Sequence, residues 1–344
     1  MSRVGLIYDP VYLEHDTGTH VENAGRLTTT LSVLEETGVK QKIKLLPPRP
    51  ASTEEIALVH SQQYIDQIKT ISTRGGGSLD LDTITSSGSY QAALMAAGGV
   101  ISAADAVMDK TVNHAFCLVR PPGHHATCWH GMGFCLFNNV AIAAKYILAN
   151  YSIQRILIVD FDVHHGNGTQ DMFYTDPNVL YFSTHQYPLY PGTGTLDEIG
   201  TREGEGFNIN IPMAPGCGDS EYQTIYEDIL APIAIRYKPQ MILVSAGYDA
   251  HWADNLASMQ LSVFGYVRIA EILKVLADTL CDGNLVFSLE GGYHQQALAY
   301  SIAASLNILT GSKDFHDPLG IKQSRSNIAD FEKFVRLIKE KHEI

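Results

Sequence analysis

The sequence predicts an α/β fold: one domain built on a mainly parallel, eight-stranded sheet flanked by helices. Three observations carry this. Short β-branched and aliphatic runs alternate with longer helical patterns along the chain, the alternation that builds a doubly wound sheet. Several runs are apolar at every position, as strands covered on both faces require. No repeat, low-complexity tract or linker divides the 344 residues. Residues 1–344 therefore read as one unit, although a prior of roughly 150 residues per domain would suggest two.

In order, strands are expected at 4–8, 43–46, 114–119, 155–160, 179–183, 207–211, 241–245 and 285–289. Helices are expected at 23–36, 88–108, 138–149, 220–236, 262–280 and 294–309. Beyond them Phe331, Phe334, Val335 and Ile338 fall at i, i+3, i+4 and i+7, the stripe of a final amphipathic helix over about 327–341.

Composition excludes several classes. With 24 basic and 37 acidic residues the net charge is −13, so direct nucleic-acid binding, which needs a basic face, is not expected. The apolar run in MSRVGLIYDPVY is too short for a signal-peptide core. No apolar stretch reaches the about 18 residues of a membrane span, so no membrane partner is expected. Five cysteines, an odd number without a CxxC pair, predict neither a disulfide framework nor a cysteine–zinc site. A reducing cytoplasm is the expected compartment, and a homo-oligomer is compatible with the sequence.

The chemistry collects at strand ends. The run 155–159 leads into Asp160, Asp162, His164 and His165, and 241–245 leads into Gly247, Tyr248 and Asp249. The run 285–289 leads into Glu290, Gly291, Gly292 and Tyr293, and 114–119 into Arg120, Pro121, Pro122, Gly123, His124 and His125. Open α/β sheets bind ligands at the carboxyl ends of their strands. Alternation along an extended segment would put Asp160, Asp162 and His164 on one face. Two carboxylates and an imidazole suit a divalent metal, with Asp249 completing the shell. A plain helix cap accounts for one aspartate. It does not account for several unpaired charges gathered at one strand end, which would repel and resist desolvation. Tandem histidines beside a metal can carry protons near neutral pH. Tyr293, after a flexible Gly-Gly turn, can donate to a polarised carbonyl.

These segments resemble the zinc-dependent histone deacetylase family, which includes acetylpolyamine amidohydrolases and shares the arginase-like fold. The carrying motifs are Arg120 to Ala126 (RPPGHHA), Gly133-Phe134-Cys135, Asp160 to Gly168 (DFDVHHGNG), Pro191 to Gly194 (PGTG), Gly247-Tyr248-Asp249 and Glu290 to Tyr293 (EGGY). The resemblance runs from about residue 4 to 311, and the chain is similar to class II and bacterial class II-like members, because Asn167 stands where class I enzymes carry Asp. Val21 replaces the proline that many relatives carry in His-Pro-Glu, a change in the first rim loop.

The resemblance implies one Zn²⁺ per chain held by Asp162, His164 and Asp249, with water at the open position. It implies a structural K⁺ bound by Asp160 and Ser183. Asp160 would orient His124; His125, oriented by Asn167, would act as general base and then acid; Tyr293 would polarise the acetyl carbonyl. Phe134 and Tyr190 would flank a lysyl stem, Asp82 would hold substrate backbone at the rim, and Arg26 would match a buried arginine near an acetate exit. The implied activity is removal of acetyl groups from lysine side chains of proteins or peptides. A small acetylated amine is the alternative substrate. An arginase-type manganese ureohydrolase and a non-catalytic acetyl-lysine binder stand further back. Leu256, seven residues after Asp249, falls where relatives resembling polyamine deacetylases carry an acidic gatekeeper, and an apolar residue there suits acetyl-lysine.

Overall fold

A computed structural model describes residues 3–344. Its main sheet has eight strands: β1 (Val4–Ile7), β2 (Lys44–Leu46), β5 (His114–Cys117), β6 (Ile156–Asp160), β7 (Val179–Gln186), β8 (Asn208–Met213), β9 (Met241–Ala246) and β10 (Leu285–Leu289). A separate hairpin of β3 (Gly76–Ser78) and β4 (Ile84–Ser86) is antiparallel. The main sheet runs β2-β1-β5-β10-β9-β6-β7-β8, and every pairing in it is parallel.

Strands such as ILIVD and MILVSA are buried at every position, which requires cover on both faces. One layer contains α4 (Ser89–Met108) and α5 (Asn139–Asn150), packed on each other. A second contains α1 (Gly25–Glu36), α10 (Gln295–Thr310) and α9 (Val263–Leu280). By length and composition α4 could cross a membrane, but its small residues are buried in this core. The other α-helices are α2 (Thr53–Ile56), α3 (Gln62–Thr73), α6 (Asn167–Phe173), α7 (Asp219–Ile225), α8 (Ala231–Tyr237) and α11 (Ile328–Lys341).

All eight expected strands and the final helix are present. Val335 and Ile338 are buried on the expected stripe, with Phe331 and Phe334 packed beside them. One expected helix is broken: 220–236 consists of α7, a π-helical turn over Tyr226–Leu230, and α8. Pro232 lacks the N–H that would reach back to Asp228, so the backbone widens there. Helices α2, α3 and α6 and the β3–β4 hairpin are additions to the expected elements.

Register brings the functional strand ends level. Asp160 stands opposite Ser183 on one side and Ser245 on the other. Leu289 stands opposite Ala246. Gly247 and Glu290 therefore each begin one residue past a shared edge.

Candidate active site

Strand β6 ends at Asp160, and the chain bends through 161–166 before α6 begins. The expected alternation stops with it, so Asp160, Asp162 and His164 do not share one face. Asp162 and His164 turn toward Asp249, and the ligand atoms of these three residues lie within 4.8 Å of one another. His164 Nδ1 is 3.1 Å from Asp162 Oδ1 and 3.2 Å from Asp249 Oδ2. Donors at about 2.0–2.1 Å from a tetrahedral zinc are spaced by about 3.3 Å. Asp249 Oδ2 is buried and has no hydrogen-bond partner among the described residues. The other oxygens are fixed: Asp162 Oδ2 accepts from Gly291 N at 2.8 Å, and Asp249 Oδ1 from Val163 N at 3.0 Å. A side chain at Gly291 would overlap both carboxylates, so only glycine admits this approach.

The charges conflict as they stand. Burial and the neighbouring Asp162 push Asp249 up to about 6. Burial also opposes ionisation of Asp162, but His124 and His164 outweigh it and hold that carboxyl low. A dication at this point would relieve the repulsion. Two carboxylates and one imidazole with a buried unpaired oxygen fit zinc held by three protein ligands.

Asp160 faces the other way. Its Oδ2 accepts from Tyr181 Oη at 3.0 Å and lies 3.1 Å from His124 Nδ1. Burial would lower His124, but Asp160, Asp162 and Glu290 raise it to about 10. His125 differs: Nδ1 meets Asn167 Oδ1 at 2.9 Å. Burial, followed by repulsion from His124 and His164, holds its pKa well below the usual histidine range. Since a carboxamide oxygen only accepts, the proton sits on Nδ1 and the Nε2 lone pair is free.

Tyr293 lies across the site, near enough for the charges of Asp249 and Asp162 to add to burial in raising its pKa. Arg26 supports it from beneath. Its guanidinium lies 5.1 Å from the ring centroid, and its Nε donates to Gly292 O at 2.7 Å and Nη2 to Glu290 O at 2.5 Å. At the mouth Phe134 packs edge-on to Tyr293 with centroids 5.6 Å apart, and Tyr190 packs edge-on to His125 at 5.1 Å. Phe134 has φ +69°, strained for a bulky residue and the kind of outlier concentrated at functional sites. Its N–H donates to Thr83 Oγ1, so exposed Asp82 next in the chain stands at the rim. Leu256 is half-buried, with its N–H donated to Asp254.

Ser183 Oγ lies 2.9 Å from His185 Nδ1, while His185 Nε2 lies 2.8 Å from Gly194 O. The carbonyl requires a proton on Nε2, so Ser183 donates to Nδ1 and keeps both lone pairs. Oxygen atoms of Ser183 and Asp160 on adjacent strands suit a hard monovalent cation.

Sequence reasoning passed over several supports. Glu22 is buried and accepts from Arg120 Nη2 at 2.8 Å and Arg26 Nη1 at 3.0 Å. Burial would raise it, but Arg120 and Arg26 hold it well below the carboxylate range. Glu290 Oε2 accepts from the N–H groups of Gly123 and His124, and burial pushes it up to about 7. Donor atoms of His124, Cys135 and Glu290 form a second convergent group that shares His124 with the site. Asp254 Oδ2 accepts from Tyr293 N and His294 N.

Residues 20–309 match the family described as "Histone deacetylase domain". The chain is 42% identical over 311 residues to a "Probable deacetylase" of Archaeoglobus fulgidus, covering 89% of this chain and 86% of the relative. It is 35% identical over 320 residues to a "Histone deacetylase-like amidohydrolase" of Pseudomonas aeruginosa, covering 91% and 84%. A solved structure titled "Crystal Structure of HDA15 HD domain" superposes with TM-score 0.90 at 33% identity, covering 99% of this chain and 94% of that one.

Proposed function

Because the chain belongs to the histone deacetylase family, a family of hydrolases, we propose that it is a zinc-dependent enzyme removing acetyl groups from lysine side chains of proteins or peptides. One observation carries the reading: Asp162, His164 and Asp249 converge beside two histidines with different partners, with Tyr293 across from them. Asp162, His164 and Asp249 would hold the ion. Bound there, zinc supplies Lewis-acid polarisation of the carbonyl and lowers the pKa of water.

The chain's own groups supply the remainder. His125 takes the proton of the attacking water on its free Nε2. Tyr293 donates its hydroxyl proton in a hydrogen bond to the carbonyl oxygen, most strongly as negative charge develops. His124, held charged by Asp160, stabilises that charge. His125, now protonated, delivers the proton to the leaving amine, aided by His124. Phe134 and Tyr190 bracket an aliphatic stem and exclude water, and Asp82 receives substrate N–H groups at the rim. Asp160 and Ser183 would hold a structural potassium ion, and the compartment would be the cytoplasm.

Leu256 favours lysine over polyamine. An apolar side chain gives a second ammonium no partner, and desolvating an unpaired cation is costly. A binuclear ureohydrolase would need further metal-facing carboxylates, yet Asp160 is committed to Tyr181 and His124. The test is a kcat/KM panel of acetyl-lysine peptides, longer acyl-lysines and acetylated polyamines. Acetyl-lysine peptides are expected to lead; an acetylpolyamine ahead of every peptide would overturn the substrate assignment.

A further inference from the structure

The backbone of the Glu290–His294 turn is held on every side. Arg26 takes the carbonyls of Glu290 and Gly292, Asp162 takes the Gly291 N–H, and Tyr248 N donates to Gly291 O. The N–H groups of Tyr293 and His294 go to one oxygen, Asp254 Oδ2, at 2.6 and 2.9 Å. Asp254 Oδ1 accepts from Leu256 N at 3.1 Å.

Asp254 is 5% exposed, and its own N–H is donated to His251 O at 2.8 Å. It follows Asp249 by five residues and precedes Leu256 by two. His294 is the N-cap of α10, where a carboxylate also meets the positive end of the helix dipole. One buried carboxylate thus joins the tyrosine's backbone to the backbone of the proposed gatekeeper.

We propose that Asp254 is a positioning residue: it fixes where the Tyr293 hydroxyl stands and couples that position to the loop bearing Leu256. The inference rests on the role given to Tyr293 above. The physical basis is acceptor count. A carboxylate offers acceptors at both oxygens, so it serves three N–H donors from two segments. The carboxamide introduced by Asp254→Asn has the same size but one accepting oxygen. Whichever way that amide turned, an NH₂ group would face either Leu256 N–H or the Tyr293 and His294 pair. A donor facing a buried donor leaves both unsatisfied, and the turn would shift to relieve it. A small displacement of a preorganised donor is felt mainly in the transition state.

The test is a double-mutant cycle on the zinc-loaded full chain with an acetyl-lysine peptide, comparing wild type, Asp254→Asn, Tyr293→Phe and the double variant. If Asp254 acts through the tyrosine hydroxyl, Asp254→Asn lowers kcat by about tenfold or more, with KM within about twofold and metal content unchanged. In the Tyr293→Phe background, where no hydroxyl remains to misplace, the same change costs no more than about twofold. Equal losses in both backgrounds would overturn the proposal, because the effect would then not pass through the hydroxyl. Near-native kcat for Asp254→Asn, or a loss confined to KM, would also overturn it while leaving the deacetylase reading intact. Near-native kcat for Tyr293→Phe would remove the role of Tyr293 and this proposal together. Should Asp254→Asn not fold, Asp254→Ser, which keeps one hydroxyl acceptor in less volume, enters the same cycle with the same expected non-additivity.

Discussion

Asn167 Oδ1 stands 2.9 Å from His125 Nδ1, so the imidazole is oriented by a neutral partner. Its neighbour His124 instead faces a carboxylate, Asp160, at 3.1 Å. The two rings are tilted against each other with centroids 4.0 Å apart, yet burial and repulsion from His124 and His164 lower the His125 pKa, whereas Asp160 and Asp162 raise that of His124. In the function proposed above, His125 is the base and His124 the cation.

His125→Ala is therefore expected to be more damaging than His124→Ala, since it removes the base and the returning acid together. Residual kcat/KM of the two variants checks this. The reverse order would exchange the roles.

Asn167→Asp provides a pH test. The His125 pKa is held well below 6.5, so its Nε2 stays free as pH falls through that value. A charged partner would raise the pKa, and the proton would then occupy Nε2 at higher pH. The acidic limb of kcat/KM against pH, measured with zinc buffered, is expected to move upward in Asn167→Asp. An unmoved limb would show that His125 does not set it.

Tyr293→Phe removes one hydroxyl donor. Losing such a donor costs roughly 10²–10³ in kcat, and the loss should fall on kcat more than on KM. Near-native kcat would contradict the role.

Leu256→Glu supplies a partner for a second ammonium. The ratio of kcat/KM for acetylspermidine to that for an acetyl-lysine peptide is expected to rise. An unchanged ratio would show that position 256 does not read the substrate.

Acid stability follows from buried neutral histidines. His60 Nδ1 lies 2.8 Å from Thr127 O, and Nε2 accepts from Asn138 N at 2.9 Å. Burial lowers its pKa to about 4, and that of His185 likewise. The unfolded chain binds these protons near 6.5, before the folded one does. Stability from each is thus fully present above about 6.5 and falls toward pH 4, by up to about 1.4 kcal/mol per pH unit. His60→Gln should flatten the pH dependence of urea unfolding over that window, and an unchanged slope would contradict the assignment.

Much of this was legible in the sequence for a physical reason. Strands such as 156–160 and 241–246 are buried on both faces and are apolar up to Asp160 and Ser245 near their carboxyl ends, where the polar residues begin. The site residues therefore mark their own positions. Helix α3 was not expected: Ser61 caps Tyr64 N and Tyr64, Ile65, Ile68 and Ser72 are buried, but its polar majority hid the stripe. The bend after Asp160 was not readable. Alternation predicted one face for Asp160, Asp162 and His164, whereas loop geometry sent Asp160 to Tyr181 and the other two to Asp249. Arg26 and Asp254 act on backbone groups distant in sequence, and Glu22 on the guanidinium groups of Arg26 and Arg120; nothing in their local spacing points to Gly292 or Tyr293.

The central claim is that Asp162, His164 and Asp249 hold one zinc ion on which deacetylation depends. The direct measurement is metal content and acetyl-lysine peptide turnover of the same protein, before chelation, after it, and on zinc titration. Activity should vanish with the metal and return linearly to full value at one zinc per chain, while Asp162→Ala, His164→Ala and Asp249→Ala each fail to retain the ion. Full activity in metal-free protein, or a requirement for two ions per chain at this site, would contradict the account.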